Sequence, residues 1–239
     1  MSLDELYSDN YIEGSCFLKI PSDHHILLQL ASGLDYIHTS GLVHCNINPR
    51  NVLFVSGNRV KWANQLGLKM EMTPEMLEWT APEILIRKDN FYYRHCDTFS
   101  DMFSAGCVFF FFLSKGVHLF AGEIGTNEIV KNILQSKKMY LKGKIVATLT
   151  NFFVHFTHYL YAIIKWLYLN FLVLANESWI IELIDDLTEH DPKLRPCAGE
   201  VVKILTSYKS KLSTQDKEIL SVRYFSGKCR MGALYIFCL

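Results

Sequence analysis

Apolar positions along this chain fall into blocks with different periods. Ile26, Leu27, Leu30, Leu34 and Ile37 recur at helical spacing behind Pro21-Ser22-Asp23. That predicts a helix with Ser22 or Asp23 as its cap, ending before Gly41. Val52-Leu53-Phe54-Val55 and Val60-Lys61-Trp62-Ala63 are short runs flanking Ser56-Gly57-Asn58, the signal of a β-hairpin. From Phe99 to Leu113 the chain is apolar and aromatic almost throughout, bounded by Lys115-Gly116, which predicts a helix buried on most sides. Further helical patterns run over roughly 127–135, 179–188 and 200–208. The pattern describes a mainly α body with one small β-hairpin.

Composition narrows the classes of function. Of 239 residues half are hydrophobic, and 24 Lys plus Arg balance 24 Asp plus Glu. A chain of this kind can bury a core. It lacks the basic footprint that phosphate-backbone binding requires, so nucleic acid is not expected as a partner. The seven cysteines, Cys16, Cys45, Cys96, Cys107, Cys197, Cys229 and Cys238, form no C-x-x-C pair and read as buried thiols of a reducing compartment. His24-His25 and His118 have no second cluster at ligand spacing, and no metal site is expected. The acidic start, Met1-Ser2-Leu3-Asp4-Glu5, has no signal-peptide pattern, so a cytosolic chain is expected.

The stretch Leu42-Val43-His44-Cys45-Asn46-Ile47-Asn48-Pro49-Arg50-Asn51-Val52-Leu53 lies between the first helix and the hairpin. It resembles the catalytic loop of protein kinases, H-R-D-L-x-x-x-N, at the same spacing. Other landmarks follow in order: Gly67 after Gln65-Leu66 where kinases carry D-F-G; Ala81-Pro82-Glu83 for A-P-E; Asp101-Met102-Phe103-Ser104-Ala105-Gly106 for the start of the central helix; Asp191-Pro192-Lys193-Leu194-Arg195-Pro196 for a late turn. Within the superfamily the chain resembles the kinase domain of the inositol-requiring sensor of endoplasmic-reticulum stress, a transmembrane kinase and endoribonuclease. The residues behind this are Ser104-Ala105-Gly106-Cys107-Val108-Phe109, Ser114-Lys115-Gly116-Val117-His118, Gly33-Leu34-Asp35-Tyr36-Ile37-His38 and Leu3-Asp4-Glu5-Leu6. The related 2-5A-dependent ribonuclease is a more distant likeness.

The resemblance implies a kinase-like C-terminal lobe in which residue 1 falls near the end of the hinge, with the N-lobe absent. The family uses ATP and Mg; tight binding of either is not expected here. Asn46 stands at the general-base aspartate, Asn48 at the phosphate-facing lysine and Gln65 at the magnesium aspartate, while Asn51 keeps the second metal-ligand position. An amide oxygen accepts hydrogen bonds but takes up no proton near neutrality, and it is a weak ligand for a hard cation. Cys45 replaces the arginine that pairs with a phosphorylated activation loop. The stretch 68–80 offers only Thr73 and Thr80 as acceptors. His44, Gly67, Glu83, Asp101 and Arg195 are retained as structural residues: Glu83 with Arg195 as a buried ion pair, Asp101 as acceptor for the loop backbone, and His44 packed beneath that loop.

Four segments result: residues 1–143 as the first part of the lobe, 144–176 as an atypical hydrophobic insertion, 177–208 as its last helices, and 209–239 as a tail without a complete nuclease domain. Between Ile145 and Ala175 Lys165 is the sole formal charge. A membrane span or re-entrant helix there would bury Lys165, Asn170, His155 and His158 at a cost. An insertion packed on the lobe or on a partner is a second reading. Translated non-coding sequence is the preferred third, because the segment interrupts the pattern where the family has a short connection. Sequencing the mature transcript across codons 140 to 180 tests this, and a continuous message would reject it. The expected function is that of an inactive kinase-like domain related to the stress sensor, serving as an interaction module that pairs with a kinase relative or with itself. It would sit in the cytosol or at the cytosolic face of the endoplasmic reticulum. The alternatives are a residual serine/threonine kinase in a longer isoform and a mis-assembled product.

Overall fold

The computed structural model describes residues 1–7, 22–63, 73–87, 95–122, 128–138 and 178–211. Gln65, Gly67, the insertion 144–176 and residues 212–239 of the tail lie outside them. Helix α1 (Leu3–Tyr7) opens with a reciprocal cap. The Ser2 amide donates to Glu5 Oε2 at 2.9 Å and the Glu5 amide to Ser2 Oγ at 3.2 Å, which satisfies two of the donors that a helix start leaves open. Helix α2 (Asp23–Thr39) buries Ile26, Leu27, Leu30, Ala31 and Leu34. It begins where the sequence predicts, although the Ser22 side chain makes no capping bond. Its end is built by Gly41 at φ +74°. There the Gly41 amide donates to His38 O and the Leu42 amide to Ile37 O, a closure that needs a left-handed residue at that point.

Strands β1 (Val52–Val55) and β2 (Arg59–Trp62) pair antiparallel, with Val52 opposite Trp62 and Val55 opposite Arg59. Met1 O accepts from the Phe54 amide at 2.9 Å, so the start of the chain lies along β1. Two four-residue helices follow, α3 (Pro74–Leu77) and α4 (Pro82–Leu85), each with proline in its first turn. Proline is favoured there because its missing N–H is an orphan in any case.

Helix α5 (Thr98–Leu113) is the centre of the body. Asp97 and Ser100 cap it reciprocally, and Met102, Phe103, Ala105, Cys107, Val108, Phe109, Phe110, Phe112 and Leu113 are all buried. Phe111 is partly buried and meets Tyr7 and Trp79 edge-on, so the aromatic run is core. Helices α6 (Ile129–Leu134), α7 (Ser178–Leu187) and α8 (Ala198–Lys211) complete the described body, with α7 packed on α5 and α8 on α2. The α5–α7 contact depends on Gly106. A Cβ there would lie 2.7 Å from Thr188 Cγ2 and 2.8 Å from Leu187 Cβ. Gly106→Ala is therefore expected to cost about 1–3 kcal/mol, the usual range for overpacking, measured as a lower urea midpoint at unchanged slope.

Among the described residues the body is thus mostly helical with one two-stranded sheet, as the periodicity predicts. Of the described cysteines, all expected as buried thiols, the structure buries Cys107, leaves Cys45 and Cys96 partly exposed and exposes Cys197. Among the described residues no helix is long and apolar enough to cross a membrane.

Candidate functional site

The loop from His44 to Asn51 is suspended from α5. Asp101, 2 % exposed, accepts from the His44 amide at 2.7 Å through Oδ2 and from the Cys45 amide at 2.9 Å through Oδ1. His38 on α2 reaches the same Oδ2 at 2.9 Å. One carboxylate thereby fixes two successive loop amides and ties them to two helices. Cys45 has φ +63°, a left-handed conformation unusual for a side-chain-bearing residue. The two amide bonds to Asp101 hold it there.

His44 is buried under the loop, with Nε2 3.0 Å from Ala63 O and its ring edge-on to Trp62. Burial lowers its pKa, with Asp101 opposing. The neutral ring carries its Nε2 proton to the Ala63 carbonyl, which leaves Nδ1 to accept from the Asn46 amide at 3.3 Å.

Beyond this anchor the side chains close on one another through amides. Asn48 Nδ2 donates to Asn46 Oδ1 at 2.7 Å, Asn51 Nδ2 donates to Asn46 O at 2.7 Å, and Asn48 Oδ1 accepts from the Arg50 amide at 3.0 Å. The structure thus brings Asn46, Asn48 and Asn51 together, while Gln65 and Gly67 fall outside the described residues. The described loop side chains offer a cation neutral oxygens only, a donor set poorly matched to magnesium, which is held in sites of this kind by carboxylates and phosphate. Among the described residues no group of three His, Cys, Asp or Glu could hold a metal ion.

The remaining retained residues form a second anchor. Arg195, in the turn after α7, donates through Nη1 and Nη2 to both Glu83 oxygens at 2.7 and 2.8 Å. Its other donors reach Glu189 O at 2.7 Å, Phe99 O at 3.0 Å and His190 O at 3.2 Å. This holds the segment around α4 against the start of α5. Within that segment Thr80 is buried and donates to Met76 O at 2.7 Å. Thr73 caps α3 through its hydroxyl. Both hydroxyls that the sequence offers as phosphate acceptors are therefore engaged in local structure.

The protein kinase domain pattern matches residues 3–205. This chain belongs to the protein kinase domain family. It is 32 % identical over 122 residues to cyclin-dependent kinase 4 of Xenopus laevis, covering 48 % of this chain and 36 % of that protein. The mouse cyclin-dependent kinase 4 is 33 % identical over 100 residues, 38 % of this chain and 31 % of that protein. The mitogen-activated protein kinase HOG1 of Hortaea werneckii is 31 % identical over 110 residues, 44 % and 29 % of the two chains. The matched part thus spans about a third of the length of these curated relatives. Their kinship makes this a domain related to serine/threonine kinases, a family that generally uses ATP and magnesium.

Proposed function

We propose that this kinase-family chain does not transfer phosphate and serves as an interaction module, pairing with a kinase relative or with a second copy of itself. The observation that carries the reading is Asn46. It occupies the position of the general base in the loop, and its side-chain oxygen accepts from Asn48 Nδ2 at 2.7 Å. An amide there cannot take the proton of a substrate hydroxyl, and loss of a general base alone removes about 10²–10⁴ in rate. Asn48 in place of a lysine removes a positive charge, and Gln65 in place of an aspartate removes a magnesium ligand. Cys45 cannot make the bidentate contact that an arginine makes to a phosphorylated loop. What the loop keeps is its suspension from Asp101, which any partner-binding use of the lobe would also need.

The short motifs around Ser104-Ala105-Gly106-Cys107 and Ser114-Lys115-Gly116-Val117-His118 support kinship with the endoplasmic-reticulum stress sensor. A place in the cytosol or at the cytosolic face of that membrane accords with this kinship.

Titration with magnesium-ATP tests the proposal. The melting temperature of the full chain is expected to stay at the value it has with magnesium alone. A rise comparable to that of an intact kinase would contradict it. Residual serine/threonine kinase activity is the competing reading, favoured by retention of Asn51 at the metal-ligand position. On that reading Asn51→Ala removes both the thermal rise and any phosphate incorporation.

A further inference from the structure

Three large hydrophobic side chains left in solvent gather around the ion pair of Glu83 with Arg195. Ile86, 60 % exposed, closes α4 three residues after Glu83, and Leu194, 66 % exposed, immediately precedes Arg195. Leu134, 41 % exposed, ends α6, which packs on α4. Just beyond it Ser136 Oγ lies 2.8 Å from Nδ1 of His190, in the turn that carries Leu194. These contacts bring the three to one end of the lobe. Single exposed hydrophobics are ordinary, but a group of them marks an interaction surface.

The charges beside this group are sorted by sign. Lys131 on α6 and Lys137 in the turn after it are exposed, as are Glu182 and Asp186, one helical turn apart on the same side of α7. Lys138 Nζ donates to Asp185 O at 2.9 Å, so the basic turn and the acidic stripe are neighbours. Among the described residues none of Lys131, Lys137, Glu182 and Asp186 takes part in an ion pair. The Asp186 carboxyl is held above its ordinary value by partial desolvation and by the negative charges of Asp185, Glu189 and Glu182, which Lys138 only partly offsets. An acidic stripe short of cations thus lies beside a basic turn short of anions.

We propose that this end of the lobe is the interface of a symmetric homodimer. Ile86, Leu134 and Leu194 of two copies form its apolar centre, and Lys131 and Lys137 of each copy face Glu182 and Asp186 of the other. A two-fold axis sets a surface against itself, so a surface carrying both signs side by side complements its own rotated copy. A partner of a single charge sign would match only one of the two stripes. An apolar centre within a charged rim is the usual anatomy of such contacts. The inference rests on the interaction-module reading above and names its partner; it does not depend on the lack of phosphotransfer.

Sedimentation equilibrium of the full chain tests it, with the magnesium-ATP melt run on the same samples. The natural chain is expected to dimerise reversibly, and more weakly as salt is added. Ile86→Asp combined with Leu194→Asp should abolish the dimer and leave the circular dichroism spectrum unchanged. Lys131→Glu with Lys137→Glu, and Glu182→Lys with Asp186→Lys, should each be monomeric alone, because both stripes then carry one sign. Mixing these two variants should restore a heterodimer, which keeps the test decisive if the apolar variant folds poorly. A natural chain that stays monomeric, a dimer that survives both charge variants, or a mixture that does not associate would overturn the proposal. A monomer with no magnesium-ATP shift removes this interface and leaves the absence of phosphotransfer standing, whereas a dimer with such a shift does the reverse.

Discussion

Replacing Arg195 by methionine is expected to destabilise the protein by about 3–5 kcal/mol, the range for removing one partner of a buried ion pair. The size follows from the number of groups left without a partner. Arg195 is 3 % exposed and every one of its N–H groups is committed: two to the Glu83 oxygens and three to the Glu189, Phe99 and His190 carbonyls. Its guanidinium also lies 5.0 Å from the Phe103 ring centre. Methionine fills much of the volume yet leaves Glu83 charged and three carbonyls poorly satisfied, and each unsatisfied buried acceptor adds its own cost. Natural domains hold only about 5–15 kcal/mol in total, so this single change removes a large share. The melting temperature should fall by roughly 10 °C for a chain of this size. Arg195→Lys keeps the charge with three donors instead of five and should retain most of the loss. A fall of less than a degree in Arg195→Met would show that the ion pair does not brace the segment around α4.

Mild acid is expected to weaken the fold through His118. The ring is buried between Trp79 and Phe120, with centroids at 4.4 and 6.2 Å. Nδ1 accepts from the Phe120 amide at 3.1 Å. Burial drives the pKa down to about 3, only partly opposed by the Glu78 backbone. The unfolded chain titrates near the ordinary histidine value of about 6.5. Between those values the unfolded state binds the extra proton. The stabilisation is therefore complete above about pH 6.5 and is lost as pH falls toward 3, at up to about 1.4 kcal/mol per pH unit. Burial lowers the pKa of His44 in the same direction. Urea midpoints measured from pH 7 to pH 4 should fall more steeply for the natural chain than for His118→Phe. Equal slopes in the two proteins would contradict the assignment.

These predictions draw on parts of the structure that differ in how far the sequence reveals them. Helices α2 and α5 are long enough for their periods to show, and both end at glycines that the chain places after them. Landmark spacing brings Glu83 and Arg195 together across more than a hundred residues because the family pattern carries the tertiary information; periodicity alone would not have paired them. The four-residue helices α3 and α4 escape because a single turn contains no repeat, although Thr73 and the prolines at positions 74 and 82 are helix-start signals. Helix α1 escapes for the same reason, despite its Ser2-x-x-Glu5 box. The burial of Thr80 is invisible because its hydroxyl bonds within its own turn while α5 covers it, and the Ser104 hydroxyl of α5 donates to the adjacent Trp79 carbonyl at 2.7 Å. The left-handed backbone at Cys45 is a conformation that no local preference of cysteine predicts.

The loop from His44 to Asn51 separates what the fold requires from what the chemistry requires. Asp101 and His44 serve the backbone and are retained. On the proposed reading Asn46 and Asn48 stand where active relatives carry a base and a cation, and their side-chain amides bond to each other. The most direct measurement is transfer of labelled γ-phosphate from magnesium-ATP by the full chain, to itself and to a basic protein substrate, with Asn51→Ala alongside. Incorporation no greater than that of a heat-inactivated sample is expected for both proteins. Incorporation that rises with time in the natural chain and vanishes in Asn51→Ala would contradict it.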